Sequence, residues 1–392
     1  MKKFLRNFFL FFISLVLIGK GMNTVFGRNS ANPAQKESET TKEEGDRKGT
    51  SSFTFMGVGD NLIHEAIYYY WTEGNNFDSI YEPIQTYTKK ADLSYINYET
   101  LCAGEELELS GYPTFNGPVE INDAVYHAGF DWLSLCSNHS MDRGSEGVFK
   151  SLEYLKDNAP KITVTGAHTS KKDRQTPTVI EVNGIKVGLT SYTYGLNGLE
   201  LPSDMPWLIN LIDEDQIKED IKALNKVSDV QIVSMHWGDE YQTSYNDFQK
   251  KYAKLLNELG VEVIIGTHPH VIEQAEWIRT DKQDTLCYYS LGNFISEQND
   301  VENMIGGMAS FTVEYDFDKK EATVKDAKFT PTITFYKPNY TAIAGYTISQ
   351  WNDELAAGHY CTANGQDISK EAVADYVKEV VGDPEDIEVV LK

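Results

Sequence analysis

From residue 53 onward, short apolar, β-branched runs alternate with longer stretches whose apolar positions recur at helical spacing. The first half of the chain predicts strands over residues 53–58, 93–96, 132–136 and 162–164, with helices over 78–90, 119–129 and 145–158 between them. Strands over 178–182 and 185–191 flank Asn183-Gly184, a two-residue hairpin signal. Helices follow over 213–227 and 244–259, separated by strands over 230–235 and 261–265. Later runs over 285–290, 308–315 and 322–329 predict antiparallel strands, and 370–381 a peripheral helix. Strands alternating with helices, joined by these later antiparallel strands, predict an α/β (α+β) fold with mixed sheets.

The N-terminus breaks this pattern. Lys2, Lys3 and Arg6 precede an uncharged run over residues 8–19, the layout of an export signal, so residues 1–28 read as a signal peptide or membrane anchor. Residues 29–52 are poor in apolar side chains and read as a disordered linker. The folded domain is expected over 53–336, with 337–392 as an extension packed on it. Everything after the apolar run is then extracytoplasmic, membrane-anchored or secreted, with the membrane met through the N-terminal segment only. With 59 acidic against 35 basic residues the net charge is −24, which argues against nucleic acid as a partner. Cys102, Cys136, Cys287 and Cys361 are too scattered to suggest a disulfide framework.

Chemistry concentrates where strands end. Five predicted strands run into Asp60, Asn97 and Glu99, Asn138 and His139, His236, and the His268-Pro269-His270 triplet. Open α/β sheets bind ligands at the carboxyl ends of strands. In extended geometry, residues two apart point the same way, so His268 and His270 can reach one metal or one each of a close pair. Each residue alone also fits a turn, a cap or a satisfied core histidine; their joint placement predicts a shared metal site.

These residues fall into motifs that appear in order: Gly59-Asp60; Asn97-Tyr98-Glu99; Asn138-His139 with Asp142 and Gly144; His236-Trp237-Gly238 with Glu240; Gly266-x-His268-x-His270; and Ser290-Leu291-Gly292-Asn293-Phe294. Over roughly residues 53–336 the set resembles the poly-γ-glutamate capsule synthesis proteins of the CapA type, in the calcineurin-like metallophosphoesterase superfamily. The resemblance implies a four-layer α/β/β/α sandwich with divalent metals at the strand ends. By position, Asp60 and His270 would hold one metal, Asn138, His236 and His268 the other, and Glu99 would bridge them. His139 would face the substrate and protonate its leaving oxygen, with Asp142 orienting the ring. One or two ions of Mn, Fe, Zn or Mg suit such mixed oxygen and nitrogen donors.

The sequence departs from the wider superfamily in two places. The usual Asp-x-His is absent: Asp60 is followed by Asn61-Leu62, and the nearest histidine, His64, stands either as a substitute ligand or as a surface residue. The usual second aspartate is replaced by the Asn97/Glu99 pair. Glu240 and Asn293 are candidates for substrate contact or for supporting the ligands. The resemblance implies an exported protein of capsule or cell-envelope polymer assembly that hydrolyses a phosphoester. The alternative is a non-catalytic metal protein that binds or guides anionic poly-γ-glutamate. Its partners would be that polymer or a phosphoester substrate, with membrane-bound capsule synthesis proteins alongside.

Overall fold

The computed structural model describes residues 47–72 and 76–392. The expected signal or anchor, and the linker up to residue 46, lie outside the described residues. Two mixed sheets face each other. The first runs in the order Ile343–Thr347, Glu321–Tyr336, Ile305–Asp316, Thr50–Asn61, Leu93–Asn97, Trp132–Ser134, Thr163–Thr165. Its last four strands are parallel and the first three antiparallel additions. The second runs Thr178–Val182, Ile185–Thr193, Val230–His236, Val263–Thr267, Asp284–Tyr288, Ala275–Arg279, with four central parallel strands and an antiparallel strand at each edge.

Period-two alternation divides the second sheet between two apolar layers. Ile232, Val263, Ile265, Leu286 and Tyr288 belong to the main core with residues of the first sheet, among them Val58 and Tyr95. Val233, Met235, Ile264, Cys287 and Tyr289 turn the other way, onto Ile217, Ile221 and Leu224 of helix Glu214–Leu224 and Tyr252 and Leu256 of helix Asp247–Glu258. The spacing of Ile217, Ile221 and Leu224 is that of one helix face. Asp213 caps the first of these helices, and Asn246 with Gln249 forms a capping box on the second. On the first sheet, helices Glu120–Ala128 and Gly144–Asn158 contribute Ile121, Val125, Val148 and Leu152 to the main core. Between the sheets, the Tyr95 hydroxyl meets Ser234 Oγ at 2.6 Å. The order helix, sheet, sheet, helix is the four-layer α/β/β/α sandwich that the resemblance implies.

Local differences from the sequence reading have physical causes. The first strand starts at Thr50, not residue 53, because Thr50, Ser51 and Ser52 pair with Asp316, Tyr315 and Glu314. Those three polar residues, expected in the linker, sit on an exposed strand end, where no apolar pattern is needed. The single helix expected over 78–90 is three short turns, Asp78–Tyr81, Glu82–Ile84 and Gln85–Thr88. Pro83 lacks the N–H that a continuous helix requires there. Residues 337–392 supply Ile343, Trp351, Cys361, Ile368, Val373 and Val377 to the main core.

Glu262, just ahead of strand Val263–Thr267, is buried and accepts the Gln231 N–H at 2.7 Å. Burial pushes its carboxyl from the ordinary 4.5 up to about 8. Between these values the folded chain holds a proton that the unfolded chain releases, so this group's contribution to stability falls as pH rises. Glu262→Gln should remove up to about 1.4 kcal/mol per pH unit of that slope. Urea unfolding at pH 5 and pH 7.5 checks it: the variant's relative stability must grow with pH, and a pH-independent difference refutes the assignment.

Candidate metal centre

The carboxyl ends of the two parallel blocks converge. Asp60 lies next to the end of Thr50–Asn61, Asn97 ends Leu93–Asn97, and His236 ends Val230–His236. Behind them, strand Asn293–Ile295 pairs Asn293 with Asp60, and the Asp60 N–H donates to Gly292 O at 2.9 Å. That approach explains the glycine of the first motif: a Cβ on Gly59 would lie 1.9 Å from Gly292 O.

The H-x-H triplet is not extended, contrary to the sequence reading. Strand Val263–Thr267 ends first, and His268 and His270 sit in a turn with φ of +101° and +60°. Non-glycine residues at such angles each cost about 1–3 kcal/mol and cluster at functional sites. The His268 N–H donates to Asp60 Oδ2 at 3.2 Å, helping to hold this turn.

The expected ligands meet here. Glu99 is central and fully buried, with Oε1 3.8 Å from His236 Nε2 and 3.7 Å from His270 Nε2. Asn97 Nδ2 donates to Asp60 Oδ1 at 2.7 Å. Asp60 Oδ2 lies 3.6 Å from His270 Nδ1. Asn138 Oδ1 faces His236 Nε2 at 2.9 Å, while Thr267 Oγ1 meets His236 Nδ1 at 3.0 Å. By donor-atom proximity, Asp60, Glu99 and His236 form one triad and Glu99, His268 and His270 a second, each within 4.8 Å. The resemblance instead groups Asp60 with His270, and Asn138 and His236 with His268. Both groupings keep Glu99 at the junction.

A cation fits these donors. Among the described residues, neither carboxylate oxygen of Glu99, nor Asn97 Oδ1, nor His268 Nδ1 has a hydrogen-bond partner, although all are buried. Unpaired buried acceptors are costly, and a divalent ion would satisfy them together. Burial, then the charges of Asp60 and Glu240, raises the Glu99 pKa well above the ordinary carboxylate range. Burial likewise raises Asp60. Burial, then the neighbouring histidines, lowers His236 and His268, and burial brings His270 down to about 3, so all three imidazoles are neutral, the form that ligates metal.

Asn293 finds its role through His270. Its amide N–H groups donate to Gln298 Oε1 at 2.9 Å and Asn303 O at 3.0 Å, so Oδ1 faces His270 Nδ1 at 3.0 Å and leaves Nε2 free to bind. Asn293→Ala should weaken metal affinity about 10–100-fold. Chelator competition measures this, and unchanged affinity would remove Asn293 from the site.

His139 and Asp142 stand at the edge of the cluster in the turn before helix Gly144–Asn158. His139 Nδ1 donates to Asp142 Oδ2 at 2.7 Å, and that oxygen also accepts the Phe115 N–H at 2.6 Å. The Phe115 ring packs edge-on against His139 at 4.7 Å and His64 at 5.1 Å. His64 precedes helix Glu65–Thr72 and its Nδ1 accepts the Glu297 N–H at 3.3 Å; it belongs to neither triad. Burial lowers its pKa to about 4. Glu240 is exposed on the turn after His236. The sequence reading missed Thr267, Phe115 and Asn197, whose Oδ1 accepts Asn138 Nδ2 at 3.1 Å and whose Nδ2 lies 3.4 Å from the His139 ring nitrogens. Only Asn197-Gly198 carried a signal, as a turn dipeptide.

Among curated proteins, the chain is 28% identical over 238 residues to the PGA biosynthesis protein CapA of Bacillus subtilis (strain 168), covering 58% of this chain and 59% of the relative. It is 26% identical over 259 residues to the capsule biosynthesis protein CapA of Bacillus anthracis, covering 62% and 60%. The matched segment thus spans about three fifths of each relative. Among solved structures, a phosphatase from Mycoplasma pneumoniae aligns with TM-score 0.45 and 17% identity over 72% of this chain and 94% of its own. A 5′-nucleotidase precursor from Thermus thermophilus aligns with TM-score 0.41 and 14% identity over 84% and 59%. The family model described as bacterial capsule synthesis protein PGA_cap matches residues 54–298, which include every residue of both triads, and the chain belongs to that family.

Proposed function

We propose that this chain is a metal-dependent phosphoesterase of capsule or cell-envelope polymer assembly, exported and either secreted or held at the membrane by its N-terminal segment. The observation that carries the reading is the pair of ligand triads joined through Glu99, with the His139–Asp142 pair at their edge. Asp60, Glu99, His236, His268 and His270 would hold divalent ions, with Asn138 beside His236. When bound, such ions neutralise charge on a phosphoryl group and lower the barrier to its attack by water. Asp142 accepts the Nδ1–H hydrogen bond of His139 and so fixes the orientation of the ring, which in its imidazolium form would give its Nε2 proton to the departing oxygen. Phe115 closes one side of that ring and limits its rotation.

The experiment is hydrolysis of bis(p-nitrophenyl) phosphate by the purified chain, with metal content measured on the same sample. Metal-dependent release of p-nitrophenol is expected, lost on chelation and restored by Mn²⁺. Bound metal without hydrolysis of this or any envelope phosphoester would turn the assignment to metal-assisted gripping of poly-γ-glutamate. For export, protease added to intact protoplasts should digest the domain, and full protection would refute it.

A further inference from the structure

The mouth of the site is aromatic and acidic. Among the described residues, exposed large apolar side chains are few; two of them, Tyr194 at 41% exposure and Tyr241 at 53%, lie against ligand histidines, and a third, Tyr112 at 80%, lies against Phe115. The Tyr194 ring lies 4.5 Å from that of His268, and the Tyr241 ring 5.9 Å from that of His270. Backbone contacts pin both tyrosines to the strand and turn that carry the histidines. The Tyr194 N–H donates to His236 O at 3.0 Å and the Tyr241 N–H to Pro269 O at 2.8 Å. Tyr241 holds a φ of +64°, a strained angle for a tyrosine. Tyr112 packs at 6.5 Å on Phe115, the residue that flanks His139.

Glu240, exposed on the turn that leads into Tyr241, adds a negative charge to this rim. The cation Arg143 is committed elsewhere: its guanidinium donates to Leu107 O at 3.0 Å, Asp142 O at 3.0 Å, Glu108 O at 3.2 Å and the Ser110 hydroxyl. Beneath this rim lie the unpartnered oxygens of Glu99 and Nδ1 of His268. Aromatic faces with a carboxylate attract a positive charge, ammonium groups above all. A polyanion would meet Glu240 as a like charge, and a neutral polyol would gain nothing from it.

We infer that Tyr194, Tyr241 and Glu240 select a phosphoester whose alcohol carries an ammonium group, the phosphoryl end lying over the ligand cluster and the cation over the tyrosine faces. This rests on the metal-dependent phosphoester reading and names its substrate class. Tyr112 extends the same aromatic wall.

Calorimetric titration of the full chain loaded with Mn²⁺ tests it, with phosphocholine, glycerol 3-phosphate and inorganic phosphate as probes. Phosphocholine should bind at least about tenfold more tightly than glycerol 3-phosphate. Tyr194→Leu and Tyr241→Leu should bring that ratio below about threefold, and Glu240→Gln should lower it and weaken its salt dependence. Tyr194→Phe keeps the aromatic face and should keep the preference, which separates stacking from mere fold damage. Equal affinity for the two esters in the wild-type protein, or an undiminished preference in the folded leucine variants, overturns the inference. Hydrolysis of p-nitrophenyl phosphorylcholine on the same samples reports the enzyme reading separately. A binding preference with no hydrolysis of any ester would remove catalysis and leave the ammonium site standing.

Discussion

Glu99→Gln should make the protein less stable with metal and more stable without it. In metal-free protein Glu99 is a fully buried carboxyl whose pKa burial and neighbouring carboxylates hold far above its ordinary 4.5. The native state therefore keeps a proton that the unfolded chain gives up, and stability falls as pH rises above about 4.5. Glutamine keeps the shape and loses that liability, so the chelated variant should melt above the chelated wild type, by more at pH 8 than at pH 5.5. Adding Mn²⁺ reverses the order. An ion that binds only the folded chain stabilises it by about 2.7 kcal/mol at a hundred times its dissociation constant. Glu99 belongs to both triads, so the variant should forgo this at both. Its metal content should drop below one ion per chain, whereas His236→Ala, which breaks one triad, should keep the other ion. The same stability order in chelator and in metal would place Glu99 outside the metal site.

The parallel blocks of both sheets were legible because each strand is a short, nearly unbroken apolar run, the mark of burial on both faces. Ala275–Arg279 was not: at an edge of its sheet, it is only half-buried over Glu276, Trp277 and Ile278, its Trp277-Ile278 pair is flanked by Glu276 and Arg279, and it carries no continuous apolar run. Asn293–Ile295 is too short to show a period, yet it is the element that places Asn293 against His270. Glu321–Tyr336 runs on past the end expected at residue 329 and through Pro331, because its pairing with Ile305–Asp316 tolerates a proline without an N–H at that position.

For the site, residue type and position at strand ends were enough to bring Asp60, Glu99, Asn138, His236, His268 and His270 to one place. How they get there was not legible. The H-x-H pair reaches inward through left-handed backbone angles, which no side-chain pattern encodes. Phe115, Asn197, Tyr194 and Tyr241 reach the site from loops, and loop residues carry no periodicity to betray their direction. His64 shows the opposite case, a histidine of the right type whose Nδ1 is taken by a backbone N–H.

His139→Ala separates an enzyme from a polymer-gripping protein. The ligand residues cannot do this, since losing the metal abolishes either function. His139 belongs to neither triad, and its Nδ1 is committed to Asp142. In the enzyme, its remaining nitrogen donates a proton to the leaving oxygen, and removing such a group costs about 10²–10⁴-fold in rate. The variant should therefore keep its metal content and near-wild-type metal-dependent stability while its kcat on the true phosphoester falls by that factor. The loss should shrink for an ester such as p-nitrophenyl phosphate, whose departing oxygen needs little protonation. Asp142→Asn, which leaves the ring but misplaces its proton, should show the same selective loss more mildly. In a strain carrying His139→Ala at wild-type protein level, a gripping protein would still assemble normal envelope polymer, because carboxylate binding at the metals needs no proton donor. Normal polymer there, with metal intact, would overturn catalysis; polymer lost with metal retained would leave His139 as the acid.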